Sequence, residues 1–457
     1  MRAITRARFE GLAAYTRRAA MAVMAVMADE LAWFSSQDES VIAALIRDTD
    51  GEYSAHLLMR DLDEKYRWIG ATGYHAAPEG AVIELRSRIA RAAADADEFR
   101  VQGDETKRPV DFFTPLTDRE RLHPNFVRLR EELGFVAARR LITSMMRWYD
   151  DVDGNFVEQF QTSGFDQRVW ELYLFAALTE AGYDVERPKP APDSLATGPR
   201  GRFALEAVTV NPSIGPDGKA TPSPRLEPDH DPESYRRDYL PLKYAGPLTA
   251  KLKKKYWERP EVSDVPLTVA IQDFHDTMSM TYTGSALSTY LYGIQHDTRT
   301  GADGTREVVA TKVEFHMKGK TPIPSGFFFL PDAENVSAVI FNASATLSKF
   351  NRLGVIAGFG SDDVTLVVKG LMIDPDEDAT APLPFAAVVG PHYEERWLDG
   401  AIVFHNPRAL RPLDPATLPG TAQHFLQADG TILTLAPAGQ VIGSVTSVLA
   451  FGGSEED

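Results

Sequence analysis

The stretch Pro192-Asp193-Ser194-Leu195-Ala196-Thr197-Gly198-Pro199-Arg200-Gly201-Arg202-Phe203-Ala204-Leu205-Glu206-Ala207-Val208 decides how the middle of this chain is read. Two apolar runs flank a turn at residues 198–201, which predicts a hairpin with strands over 193–197 and 203–210. Twelve residues separate Asp193 from Glu206, so such a hairpin sets the two carboxylates side by side. Glu206 sits between Leu205 and Ala207 on a strand bound for a core. A carboxylate there is costly unless it is paired or bound to a metal.

Upstream, Phe160, Val169, Leu172, Phe175 and Leu178 recur at helical spacing, which predicts one long helix over 157–181 that carries Glu171 and stops at Gly182. A strand over 183–186 follows it. Downstream come a Pro- and Asp-rich insertion over 211–232 and a basic helix over 247–257 with Pro247 in its first turn. An apolar strand over 265–274 and a short helix over 285–293 complete the region. The central order is helix, strand, strand, strand, basic helix, strand.

Glu171 on that helix, Asp193 after Pro192 and the run Glu206-Ala207-Val208 carry a resemblance. The region 164–274, or 157–293 with its flanks, resembles the PD-(D/E)XK nuclease superfamily, whose αβββαβ restriction-endonuclease-like core bears a helix Glu, an Asp opening one strand and a Glu-x-Lys on the next. The resemblance covers about a quarter of the chain. It implies that Glu171, Asp193 and Glu206 hold Mg²⁺ or Mn²⁺ for phosphodiester hydrolysis. A hard cation of this kind prefers oxygen ligands, polarises a phosphoryl oxygen and lowers the pKa of bound water. Val208 stands where the family has its lysine. Some members supply that cation from a neighbouring helix, and Lys243, Lys251, Lys255 and Arg168 are the local candidates, with Lys243 and Lys251 placed in the catalytic set. On the residues alone, Asp193 also reads as a turn residue and Glu171 as a surface partner of Arg168.

Between residues 236 and 259 eight basic residues stand against Asp238 and Glu258, in a chain whose net charge is −17. Arg236, Arg237, Lys253, Lys254 and Lys255, interleaved with Tyr244, Tyr256 and Trp257, suit a surface that tracks phosphates and stacks bases. The same pattern also suits a solvated helix face. Asp273, His275 and Asp276 read as a strand-end turn, with a metal role as the alternative. His405 and His424 read as isolated loop histidines, and Tyr393-Glu394-Glu395 before Trp397 as a solvated helix end. No phosphate-binding loop, nucleophile elbow or zinc-protease helix motif occurs.

The whole chain, 457 residues with 44% apolar content, reads as a multidomain α/β protein. Residues 1–100 are expected to form an extension and a small α/β domain, with strands over 41–47, 53–59 and 66–74 and a helix over 78–94. Residues 101–156 are a linker and helical segment, 157–300 the nuclease-like core and 301–457 a β-rich region. Within the last, short apolar runs at 327–330, 336–341, 355–359, 364–368, 401–404 and 432–435 suggest strands, and 343–351 a helical piece. Arg17 and Arg18 before the apolar run 20–28 suggest a helical or frayed extension, and the acidic tail 454–457 a frayed end. The run is far short of the roughly 20 residues that span a bilayer.

With no cysteine, disulfides and thiolate chemistry are excluded, which suits a reducing cytoplasm. Three functions follow as expectations. The first is a metal-dependent nuclease in bacterial defence or DNA processing. The second is an inactive nuclease fold acting as a nucleic-acid- or protein-binding scaffold, and the third a C-terminal region that recognises a ligand or protein. Nucleic acid is the expected partner, a membrane is not, and a protein partner or homo-oligomer through the flanking domains stays open.

Overall fold

The structure is a computed structural model describing residues 1–13, 28–106, 108–149, 151, 154–188, 191–216, 219–226, 231–301, 306–376, 379 and 381–451. The N-terminal run, except Ala28, and the acidic tail lie outside the described residues.

The chain opens with an antiparallel sheet in the order β1 (Arg2–Ile4), β2 (Ala28–Ser35), β3 (Val41–Asp48), β4 (Tyr53–Arg60), β5 (Tyr66–Ala71). Its central strand β3 reads Val-Ile-Ala-Ala-Leu-Ile with no polar alternation, as a strand covered on both faces must. Helix α1 (Arg6–Ala13) lies in the main core, and helix α2 (Pro78–Ala94) covers one sheet face, packing Ala81, Leu85 and Ile89 on Val41, Leu45 and Leu57. The other face, through Ile42, Ala44 and Leu58, joins the main core. This unit therefore does not close on itself near residue 100. Arg8 ties it to the far end of the chain, donating to the carbonyls of Ala357 and Gly358 at 3.1 Å each.

Helices α3 (Pro124–Glu131) and α4 (Val136–Met146) lead to α5 (Phe156–Gln161) and α6 (Phe165–Glu180). The single helix expected over 157–181 is thus two, because Thr162 leaves the helical backbone. Gly164 sits so close to Gln159 that a Cβ there would lie 2.9 Å from the Gln159 Cβ, so the break depends on a residue without a side chain.

An eight-stranded sheet forms the centre of the molecule, in the order β19-β18-β17-β14-β9-β8-β7-β6. Its first half is β6 (Asp184–Glu186), β7 (Ser194–Gly198), β8 (Gly201–Val210) and β9 (Leu267–Asp273). After two hairpins, β10 (Ile294–Thr300) with β11 (Arg306–Lys312) and β12 (Phe315–Lys318) with β13 (Thr321–Pro324), the sheet resumes. Its second half is β14 (Ala338–Asn342), β17 (Ala401–His405), β18 (Ala422–Leu426) and β19 (Ile432–Leu435). Strands β8, β9 and β14 are parallel, while β7 is antiparallel to β8. Between β14 and β17 the chain makes β15 (Val364–Met372) and β16 (Leu383–Val389), which pair with β20 (Val441–Ala450) in a separate three-stranded sheet. A boundary at 300/301 is therefore corrected: the central sheet runs across it.

Helix α6 covers one sheet face, with Trp170 Nε1 donating to the Ala270 carbonyl at 3.1 Å. Helices α7 (Leu240–Leu252) and α8 (Gly284–Tyr292) cover the other. The order α6, β6, β7, β8, α7, β9 is the expected helix, three strands, helix, strand. Helix α7 starts seven residues before Pro247, after a π turn at Tyr235–Tyr239, so Pro247 is internal and not a first-turn residue. Tyr244, Ala245 and Leu248 are buried on the sheet, and that burial outweighs the backbone hydrogen bond a proline forfeits.

Two of the short apolar runs are corrected. Phe327–Phe329 is a 3₁₀ turn, and residues 355–359 end helix α9 (Leu347–Ile356), which itself begins four residues after the expected start at 343.

Candidate active site

The β7–β8 hairpin pairs Ser194 with Leu205, which leaves Asp193 just before β7 and opposite Glu206. The Asp193 amide donates to Glu206 Oε2 at 3.1 Å, and Asp193 Oδ2 accepts from the Ala207 amide at 2.8 Å. The sequence spacing and the fold agree on this pair.

Strand alternation then divides the site between the two faces of the sheet. Leu205 and Ala207 face α6, whereas Ala204 and Val208 face α7. Glu206, only 3% exposed, also points toward α7. Lys251 Nζ stands 2.5 Å from its Oε1, and the Tyr256 hydroxyl donates to the same oxygen at 2.6 Å. Lys255 takes a left-handed backbone, φ 50°, that ends α7 and turns Tyr256 back onto the strand. Val208 is buried among apolar residues under α7. The ammonium beside Glu206 thus comes from α7.

Glu171 lies on the α6 side. Its Oε2 is held by Arg168 Nη1 at 2.8 Å, the Tyr149 hydroxyl at 3.1 Å and Arg187 Nη2 at 3.5 Å. Its Oε1 accepts from Gln167 at 3.0 Å, and Gln167 in turn accepts from Thr209 on β8 at 3.0 Å. Glu171 and Asp193 line a small cleft with Tyr149, Arg187, Ser194 and Ala207. Among the described residues, no three His, Asp or Glu side chains form a group that could hold a metal ion. Glu171 therefore stands apart from Glu206, across the sheet, with Asp193 between them.

Burial raises the Asp193 carboxyl to about 7; the charges of Glu206 and Glu171 add to this and Lys251 opposes it. A carboxyl raised on folding stabilises fully below its unfolded value of about 3.8, and that contribution is lost as pH climbs to about 7. Asp193→Asn is therefore expected to be more stable than wild type at pH 8, by about 1–3 kcal/mol, with the gap closing toward pH 4. Urea unfolding at the two pH values checks this. Equal curves would remove Asp193 as a buried proton carrier.

The basic segment divides into engaged and free residues. Lys243 donates to the Asn211 carbonyl at 3.1 Å and Ser213 Oγ at 3.0 Å, so it is not at Glu206. Lys255 pairs with Glu258 at 3.7 Å and Asp332 at 3.6 Å. Arg237 pairs with Asp238 at 3.3 Å and Glu233 at 3.7 Å. Arg236, Lys253 and Lys254 are exposed. Tyr244 and Tyr256 are buried, which corrects their reading as base-stacking residues.

Other expectations change as well. Asp273 ends β9 and His275 follows in the expected strand-end turn, but both are buried and form a chain. Asp273 Oδ1 lies 2.6 Å from His275 Nδ1, His275 Nε2 lies 2.9 Å from the Tyr235 hydroxyl, and that hydroxyl lies 3.0 Å from Ser223 Oγ. Arg225 pairs with Asp276 at 3.2 Å. His405 and His424 sit on adjacent strands β17 and β18, not in loops, and burial pushes His424 down to about 4. The Glu395 side chain, 7% exposed, lies between Lys349 and Arg352 and is not solvated. Arg187 and Tyr149 at the cleft had no motif to mark them. Only a basic residue just past strand β6 hinted at the first.

No helix among the described residues is long and apolar enough to cross a membrane. Comparison with protein-family models, curated proteins and solved structures finds no match.

Proposed function

We propose that the chain is a divalent-metal-dependent nuclease of the PD-(D/E)XK kind, with Asp193 and Glu206 as its metal-holding pair and Lys251 as its catalytic cation. The observation that carries the reading is Lys251 Nζ, 2.5 Å from Glu206 Oε1, in the place that Val208 leaves without charge.

Mg²⁺ is held by one or two carboxylates with its remaining positions given to water and phosphate, so an Asp–Glu pair suffices. One observation supports such an ion: the charges of Glu206 and Glu171 add to the burial that raises Asp193, a repulsion that a cation would relieve. When bound, the ion would polarise the phosphoryl oxygen and acidify a water. Lys251 offsets negative charge at Glu206 and offers ammonium protons toward a phosphate. Tyr256 fixes the rotamer of Glu206. Arg168 and Arg187 hold Glu171 at the cleft and supply positive charge there. Nucleic acid is the proposed substrate, reached through Arg236, Lys253 and Lys254. Bacterial defence or DNA processing, in a cytoplasmic setting, is the role that suits it.

A second reading is a nuclease fold that binds without cutting. It is favoured by Glu171, whose carboxylate is fully engaged by arginines, tyrosine and glutamine.

Incubation of plasmid, linear and single-stranded DNA and RNA with Mg²⁺ or Mn²⁺ tests the two. Cleavage is expected from wild type and not from Asp193→Ala/Glu206→Ala. Cutting that survives in the double variant sinks the nuclease reading, and salt-dependent binding without cutting moves the protein to the second.

A further inference from the structure

Strands β12 and β13 form a short hairpin whose two sides differ. The side toward the protein carries His316, buried, with Nε2 3.0 Å from Ser325 Oγ, and Ile323, partly buried against the core. The opposite side pairs Phe315 with Pro324 and Met317 with Pro322. Phe315 is 53% and Met317 48% exposed, and both prolines are exposed. The tip, Lys318-Gly319-Lys320, turns at Gly319 with φ 61°, and both of its lysines are exposed, with no ion pair among the described residues. An apolar face of this kind, rimmed by charge, marks an interaction surface.

The charges nearby define the partner. Lys243 on α7 has its pKa lowered by burial, an effect that Asp273 opposes and the charge of Lys318 reinforces. Helix α7 packs against β12, and Lys318 and Lys320 stand exposed at the tip of the hairpin. Lys318 and Lys320 give the tip of this hairpin a local positive charge in a protein of net charge −17, which suits a polyanion. Strand β13 is also poor at pairing with another chain, because Pro322 and Pro324 have no N–H to donate. The face, not the edge, is what this hairpin offers.

Helix α7 links the hairpin to the candidate active site. Lys243, near the hairpin, and Lys251, on Glu206, are eight residues apart, or about 12 Å along the helix. That distance is about three to four base steps of a duplex at 3.4 Å each. Phe315 and Met317 lie on one strand face about 6.6 Å apart, close to two such steps.

We propose that this hairpin is a wedge for duplex DNA: Phe315 and Met317 press between base steps while Lys318 and Lys320 hold the flanking phosphates. Proteins that bend duplexes combine apolar wedges with basic contacts in this way. The inference rests on the nucleic-acid reading above and adds the substrate form, a duplex that is locally unstacked.

The test is fluorescence anisotropy of a duplex carrying 2-aminopurine, with EDTA present so that nothing is cut. The full chain is compared with Phe315→Ser/Met317→Ser and Lys318→Gln/Lys320→Gln; all four residues are exposed, and unchanged melting temperatures verify folding. Phe315→Ser/Met317→Ser is expected to weaken binding at least about 10-fold, keep the salt slope and abolish the 2-aminopurine rise. Lys318→Gln/Lys320→Gln is expected to lower the salt slope by about 2.

Wild-type binding that both variants match within twofold overturns the wedge and leaves the nucleic-acid reading standing. Absence of any wild-type binding, at low salt and to single strands as well, overturns both. Tighter binding to single strands than to duplex, or wild-type self-association that Phe315→Ser/Met317→Ser abolishes without altering DNA binding, also overturns the wedge.

Discussion

Replacing Glu395 with alanine should lower the unfolding free energy by about 3–5 kcal/mol, a large part of what a folded protein has in reserve. Glu395 lies between two buried cations. Lys349, fully buried, places Nζ 3.1 Å from Glu395 Oε1 and donates to the Asp399 carbonyl at 2.8 Å. Arg352 grips both carboxylate oxygens at 2.7 Å each and donates to Thr446 Oγ1 at 2.7 Å. The carboxylate thereby fastens helix α9, the loop ahead of β17 and strand β20. Alanine leaves an ammonium and a guanidinium in the interior with nothing negative between them, the costly half of a broken buried pair.

Burial alone would raise this carboxyl, but Lys349 and Arg352 outweigh it and hold it at about 2. Its contribution is therefore present above an unfolded value of about 4.5 and lost as pH falls through about 2. Urea titrations at pH 7 and pH 3 should show the gap between wild type and variant narrowing in acid. A loss below about 1 kcal/mol at pH 7 would mean that the triad anchors nothing.

The second large effect is expected at Lys251. Lys251→Met should reduce phosphodiester cleavage at least about 100-fold, the scale on which one preorganised charge at a reacting group acts. Methionine keeps most of the side-chain length while removing the ammonium on Glu206 Oε1. Lys251→Arg keeps the charge and should restore part of the rate. Duplex affinity measured in EDTA should change by less than about threefold, since Lys251 sits within the site and the proposed phosphate contacts belong to the outer lysines. If the rate and the affinity fall together, Lys251 is a binding residue only. If neither changes, the cation of this site lies elsewhere.

Local features were legible in the sequence and distant ones were not. The Asp193–Glu206 juxtaposition follows from one turn and twelve residues, so a strand register suffices to predict it. Lys251 was one of several lysines on a recognisable basic segment, and only the packing of α7 on β8 selects it. Tyr149 and Arg187 reach Glu171 from outside any motif.

Glu395 reads as solvated because its sequence neighbours are Glu394 and Arg396. Its burial is created by Lys349 and Arg352, more than forty residues earlier. Strands β14 and β17–β19 show their apolar runs locally, yet a strand pattern does not say which sheet it will join. Pro247 misled for a related reason: a propensity rule places it at a helix start, and the tertiary burial of Tyr244 and Leu248 overrides the rule.

The interrupted central sheet also has a consequence in time. Strand β9 ends at residue 273, but its neighbour β14 begins only at 338 and the next, β17, is complete at 405. At about 5–20 residues per second, ribosomal synthesis leaves roughly 3–14 s between the end of β9 and the completion of β14 at residue 342. Through that interval the apolar edge Leu267-Thr268-Val269-Ala270-Ile271 waits for a partner made of its own chain. Each nascent copy on a polysome is exposed to its neighbours at this edge, so slowing elongation should raise the aggregated fraction and speeding it should lower it.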